Sequence, residues 1–355
     1  MTLRSANLAI VFLLVSLTLA ACDSSSVPVQ ETCSGAPASE PVGSWESLGL
    51  NDADIDDITA IAVHPSDPQV LYAGSSFNFS DGIQGKLFRS TNAGVTWDTL
   101  LVGGSYRDIQ FAPSDPSVLY ALRGGIIKST DGGQTWTDIS ERFSGVVASL
   151  AIHPEDANVL FVGTSGSFGG TLYRSVDGGE TWQDIGEGTS LVNGVTSLAL
   201  HPANPEIIFA GTAWSGVIMK STDGGDTWGL MISTSHLVHD LLISPDDHQV
   251  LAGFSDLGIL RSNDGGQTWA SDNEGLPDTT RHVTKIKIGE ACDTYVIASW
   301  QDSGGIYRRT LGEGSWTQIG IPGVNQSYYY SNLEWVSSEN HLYVGIDGVY
   351  RLTFD

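Results

Sequence analysis

Two aspartates, Asp108 and Asp240, each open a short apolar run (DIQFA and DLLIS). Two carboxylates at a fixed separation across a groove are what acid and base hydrolysis of a glycoside requires, so this pair is the candidate for catalysis. Trp214, Trp300, Tyr328, Tyr329, Arg107, His239 and Arg281 are the candidate ligand contacts. Aromatic rings beside charged groups suit the face of a sugar ring or the anchor of a peptide. Asp52, Asp54 and Asp56 imitate the first half of a calcium loop, yet the sixth position lacks Gly and the twelfth lacks Glu. Calcium is one reading of that run, and a solvated acidic loop is the one we favour. His236-x-x-His239-Asp240 offers no third spaced ligand, so zinc is not expected there. No phosphate-cradling glycine loop or nucleophile elbow occurs.

The elements that must position these residues come from a repeat. The octamer Ser90–Trp97 (STNAGVTW) recurs at Ser129–Trp136, Ser175–Trp182, Ser221–Trp228 and Ser262–Trp269, mostly as S-x-D-G-G-x-T-W. A degenerate copy ends at Trp316, and Gly43-Ser44-Trp45 matches only the tail of one. Before each octamer run an apolar strand, often ending in His-Pro, a second strand (VLYAG, VLFVG, IIFAG) and a third ending in a cation. After it, Trp opens a fourth. A period of about 40–50 residues with four strands predicts a propeller blade. The third-strand cations Arg89, Lys128, Arg174, Lys220, Arg261, Arg308 and Arg351 number seven. Arg351 has no octamer after it and Trp45 has no strands before it, so joining them closes a ring. The fold class is therefore all-β, a seven-bladed β-propeller of four-stranded antiparallel blades over 43–355, closed by the N-terminal strand joining the C-terminal blade.

The octamers themselves read as scaffold. Asp131, Asp177, Asp223 and Asp264 should accept hydrogen bonds within their own turns, the glycines take positive φ, and the Ser and Thr hydroxyls pin neighbouring strands. One column is different in kind. Ala60, Asp108, Ser149, Ser197, Asp240, Lys285 and Asn332 align at the start of the inner strands, at the mouth of the expected central channel. Such a column either binds a ligand or hydrates the channel, and hydration is the simpler expectation. Asp108 and Asp240 fall three blades apart, across that mouth.

Charge and leader restrict the function. The chain has 355 residues, 16 Lys+Arg against 41 Asp+Glu and a formal charge of −25, which leaves no basic footprint for nucleic acid. Acidity at this level favours cationic partners or divalent ions. Residues 1–21 read as an export signal, with Arg4 before an apolar run from Leu8 to Ala21. Leu19-Ala20-Ala21-Cys22 resembles the lipobox of bacterial lipoproteins, which implies cleavage before Cys22 and a membrane anchor of two or more acyl chains. Residues 22–42 then form a Ser/Pro-rich tether. With Cys22 lipidated, Cys33 and Cys292 are an even pair in an oxidising compartment, and a disulfide between them would fasten the tether to the ring closure. The protein is expected in a bacterial cell envelope, as a monomer.

The S-x-D-G-G-x-T-W octamers resemble the Asp-box, or BNR, repeats of sialidases, xyloglucanases, sortilin-type receptors and photosystem II assembly-factor propellers. That resemblance implies the fold strongly and the function weakly, because those relatives include hydrolases, receptors and chaperones. A sialidase would need three converging arginines, the first in an Arg-Ile-Pro motif that does not occur here. Once the leader and the cation column are set aside, only Arg107, Arg123, Arg142, Arg281 and Arg309 remain for such a triad. Xyloglucanases of this kind pair two propellers with one catalytic Asp on each, and the sequence holds a single ring. The expectation is a non-catalytic module that binds a glycan or protein on its variable loop face. A single-propeller glycoside hydrolase is the alternative and an assembly chaperone the third.

Overall fold

Short, mostly apolar runs such as Ile58–Val63 and Leu71–Ser75 are buried on both faces, as strands wedged between neighbouring sheets must be. The computed structural model describes residues 45–52, 55, 57–140, 143–166, 169–245, 248–277, 282–289, 293–300, 303–310, 314–320 and 332–354. These form seven four-stranded antiparallel sheets. The inner strands of blades 1 to 7 are Ile58–Val63, Asp108–Ala112, Val146–Ile152, Val195–Leu200, Val238–Ile243, His282–Ile288 and Asn332–Val336. Inner strands of successive blades pack side by side, and that of blade 7 packs on that of blade 1. The protein is a seven-bladed β-propeller.

Blade 7 takes its outer strand from the other end of the chain. Glu46–Ser47 pairs antiparallel with Val349–Thr353, Glu46 opposite Arg351 and Ser47 opposite Tyr350. An Arg351–Glu46 ion pair of 2.7 Å reinforces the seam. The residues that follow carry more of the closure. Leu48 and Leu50 are buried among Ile58, Val63, Phe88 and Val349, and the Trp97 indole N–H donates to the Leu48 carbonyl at 2.8 Å.

The octamer turn is closed by its own side chains. In blade 2 the Ser129 hydroxyl donates to Asp131 at 2.8 Å and accepts from the Gly133 amide at 2.8 Å. Asp131 also accepts from the Thr135 amide and hydroxyl at 2.9 and 2.6 Å. The hydroxyls thus serve the turn and not the neighbouring strands, contrary to the expectation from sequence. Pinning between blades is done by the third-strand cations. Lys128, Arg174 and Lys220 reach the next blade and donate to the carbonyls of Gly178, Gly224 and Gly265 at 2.9 to 3.0 Å. Between blades 1 and 2 the Tyr72 hydroxyl makes the equivalent bond, to Gly132.

The glycine of the second strand has a separate cause. A Cβ on Gly163 would lie 2.2 Å from the Ser149 hydroxyl and 2.6 Å from the Val195 carbonyl, the first inner residue of the next blade. The neighbouring inner strand therefore packs directly on that backbone.

Hydrogen bonds to the Thr hydroxyl and amide and to Ser, in that order, hold the Asp131, Asp177, Asp223 and Asp264 carboxyls down at about 2. The unfolded value is about 3.9. Their stabilisation is thus complete above pH ~4 and is lost as pH falls toward ~2. Urea midpoints should drop steeply through that window, and replacing all four by Asn should flatten the drop. Asn is compatible with the turn, because Asn92 of blade 1 accepts from Ser90 and from the Thr96 amide at 2.9 Å.

Candidate functional site

Antiparallel order places the octamers and the first-to-second turns on one face. The second-to-third and blade-to-blade loops occupy the other. On that loop face the inner strands surround a cavity of about 840 Å³ at the channel mouth. Its shape follows from a repeated irregularity. In blades 1, 3, 4, 5 and 6 a bulge falls just before Ala60, Ser149, Ser197, Asp240 and Lys285. A bulge re-aims the residue that follows it, and Ser149, Ser197, Asp240, Lys285, Asp108 and Asn332 all line the cavity. The polar column expected from alignment is thus a ring around one opening, with Ala60 outside the lining.

The two aspartates of that ring have different surroundings. Asp240, on blade 5, accepts from the Ile286 amide at 2.8 Å and faces the Lys285 ammonium at 3.6 Å. Burial pushes the Asp240 carboxyl up, opposed by Lys285 and the Ile286 N–H. Asp240 in turn holds the Lys285 ammonium above its usual range, ahead of the opposing effect of burial. Asp108, on blade 2, is half-buried and accepts from Gln110 Nε2 at 2.6 Å; the same nitrogen donates to the Leu150 carbonyl of blade 3 at 3.0 Å. Gln110 therefore fixes the Asp108 carboxylate from one side.

His239 lines the cavity beside Asp240, with Nε2 buried and without a hydrogen-bond partner among the described residues. Burial first, and then His282 with its ring centroid 6.1 Å away, hold His239 at about 4, against a smaller pull from Asp256. It is an uncharged imidazole at neutral pH. Arg107 also lines the cavity and is exposed. Trp214 lies outside the lining, 68% exposed on the loop face, with its indole N–H donating to the Gly166 carbonyl at 3.2 Å.

The remaining expected contacts fall elsewhere or outside the described residues. Trp300 ends the strand Asp293–Trp300 opposite Ser303, and its side chain is outside the described residues. Arg281, Tyr328, Tyr329, Cys22, Cys33, Cys292, Asp54 and Asp56 are outside them entirely. Asp52 is exposed, and its carbonyl accepts from the Ile55 amide at 3.0 Å. Among the described residues no three His, Cys, Asp or Glu side chains are grouped to hold a metal ion. Arg309, one of the five arginines left for a sialidase triad, is buried in a two-pronged ion pair with Asp272 and does not line the cavity.

Sequence reasoning missed Phe77 and Phe79. Both line the cavity from the second-to-third loop of blade 1, and their rings meet edge to face with centroids 4.4 Å apart. Phe79 is 89% exposed. The available signal was the pair of rings in SFNFSDGIQG, a loop with no counterpart in the other blades.

The Sortilin-Vps10 family, described as sortilin, neurotensin receptor 3, matches this chain over residues 124–239. That stretch runs from the second-to-third turn of blade 2 to the start of the inner strand of blade 5. The match covers about a third of the 355 residues. No curated protein matches the chain in sequence. Among solved structures, YCF48 from Cyanidioschyzon merolae superposes with a TM-score of 0.65 at 15% identity, covering 88% of this chain and 99% of that one. YCF48 bound to D1 peptide gives 0.63 at 16%, covering 90% and 100%. An ancestral GH74 enzyme gives 0.58 at 22%, covering 68% of this chain and 34% of the enzyme. The propeller thus spans about a third of that enzyme's length and essentially all of YCF48. At these identities the likeness is one of fold.

Proposed function

We propose that this protein is a non-catalytic binding module, anchored in a bacterial envelope through lipid on Cys22, whose channel mouth takes a segment of a protein partner. The observation that carries this reading is the cavity of about 840 Å³, rimmed by Phe77 and Phe79 and lined by polar groups from all seven blades. An exposed ring, Phe79, backed by a half-buried one, Phe77, beside a concave polar floor suits an anchor site for a peptide. The YCF48 structure with a bound peptide, matched nearly end to end, supports the same reading.

Glycoside hydrolysis is the second reading, favoured by the GH74 likeness and by the raised carboxyl of Asp240. Against it, Asp240 is already held by Lys285 and a backbone amide, and Asp108 by Gln110.

The test is selection of a displayed peptide library on the full chain in non-ionic detergent. It runs beside a panel of polysaccharides assayed for retention and for released reducing sugar. Peptide capture that falls at least tenfold in Phe79→Ala is expected. Sugar release abolished by Asp108→Asn or Asp240→Asn would establish the hydrolase instead. Retention of a polysaccharide without release, lost in Trp214→Ala, would make the ligand a glycan.

A further inference from the structure

The lining of the mouth has a sign. Asp57, Asp108 and Asp240 face Arg107 and Lys285, and His239 is uncharged at neutral pH. Asp240 and Lys285 neutralise one another at 3.6 Å. Arg107 is exposed, whereas Asp108 is half-buried. Asp108 is thus the more enclosed of these two charges, inside a molecule of formal charge −25. A concave site lined by one sign within low-dielectric walls concentrates ligands of the opposite sign.

Asp108 is also held in place for such a ligand. Gln110 Nε2 bridges Asp108 Oδ2 at 2.6 Å and the Leu150 carbonyl at 3.0 Å, so an anchor on blade 3 sets the direction of a carboxylate on blade 2. A binding group whose own orientation is fixed by a neighbour loses little on engaging its ligand. From the adjacent blade, Phe77 and Phe79 bring aromatic faces and edges to the same cavity. An aromatic ring next to a carboxylate matches a Lys or Arg side chain, whose stem is apolar and whose head is cationic.

Resting on the peptide-binding reading above, we infer that the segment taken at the channel mouth presents a basic side chain, with its charge on Asp108 and its stem against Phe77 and Phe79. Gln110 is a positioning residue for that contact. Acidic segments are disfavoured by the Asp108 carboxylate and by the net negative charge of the protein.

The experiment uses the full chain in non-ionic detergent and two blocked, fluorescently labelled octapeptides, one alternating Lys with Leu and the other Glu with Leu. Fluorescence anisotropy should show binding of the Lys peptide and at least tenfold weaker binding of the Glu peptide. Asp108→Asn and Phe79→Ala should each weaken the Lys peptide at least tenfold. Glu180→Gln, which removes a charge from the octamer face, should leave it within twofold and so separates the site from general attraction to an acidic surface. Phe79 is 89% exposed, so its replacement tests the site without endangering the fold. Binding of the Lys peptide that is indifferent to Asp108→Asn overturns the inference, as does a Glu peptide that binds equally well. If the Glu peptide binds and loses affinity in Phe79→Ala, the peptide site stands and only its sign is wrong. If neither peptide depends on Phe79, the peptide-binding reading falls as well.

Discussion

Replacing Asp272 by Ala is expected to destabilise the protein by about 3–5 kcal/mol, the usual cost of stripping one partner from a buried ion pair. Asp272 and Arg309 have side chains 8% and 3% exposed, with Arg309 donating to both carboxylate oxygens and one bond measuring 2.7 Å. Arg261 Nε stands 3.7 Å from the same carboxylate. The Arg309 guanidinium also lies 4.4 Å from the centre of the Trp316 ring, whose indole N–H donates to the Asp272 carbonyl at 2.8 Å. Ala at 272 would leave one buried cation unpaired and a second without its counter-ion. Blades 5 and 6 are joined here, in a place where the octamer has lost its Asp. Urea unfolding followed by far-UV circular dichroism measures the loss as a lower midpoint at unchanged slope. Asp272→Asn, which preserves shape and one acceptor, should cost less, and an equal cost would show that packing and not charge matters there.

Leu48→Ala is the second large effect, at about 2–5 kcal/mol, the range for deleting a buried leucine. The side chain is 8% exposed and packs with Leu50, Ile58, Phe88 and Val349 across the junction of blades 7 and 1. Its position makes the truncation worse than an average core cavity. The closing segment pairs with its blade at Glu46 and Ser47, Leu48 N–H donates to the Val349 carbonyl at 2.8 Å and Val349 N–H to the Gly49 carbonyl at 3.0 Å, and the buried leucines add the apolar adhesion. Leu230→Ala, at a side chain 57% exposed on an outer strand, is the matched control and should stay within about 0.5 kcal/mol. Equal midpoints for the two variants would mean that the closing segment contributes little to the ring.

The ring was legible because its parts repeat. Seven third-strand cations count the blades, and an octamer tail at Trp45 with a cation at Arg351 identifies the shared blade. The column at the channel mouth was legible for the same reason, since alignment of repeats aligns their inner strands. What could not be read is whatever joins one blade to another or occurs once. The Asp240–Lys285 pair forms between two blades and depends on a bulge in each, which periodicity does not announce. Arg309 looked free because its partner Asp272 precedes it by 37 positions, in a different blade. Phe77 and Phe79 sit in a loop without copies, so a reading built on repeats and on surplus tryptophans passed over them.

The seam between Glu46 and Arg351 joins residues 305 positions apart. During synthesis Glu46–Ser47 therefore cannot take its place until Val349–Thr353 has emerged. Closing so long a loop is costly in entropy and comes late in folding. A nascent chain stopped anywhere short of Val349 leaves both edges unpaired and the two leucines uncovered, a surface that invites aggregation and degradation. Ring closure is thus open only to a polypeptide made past Val349–Thr353.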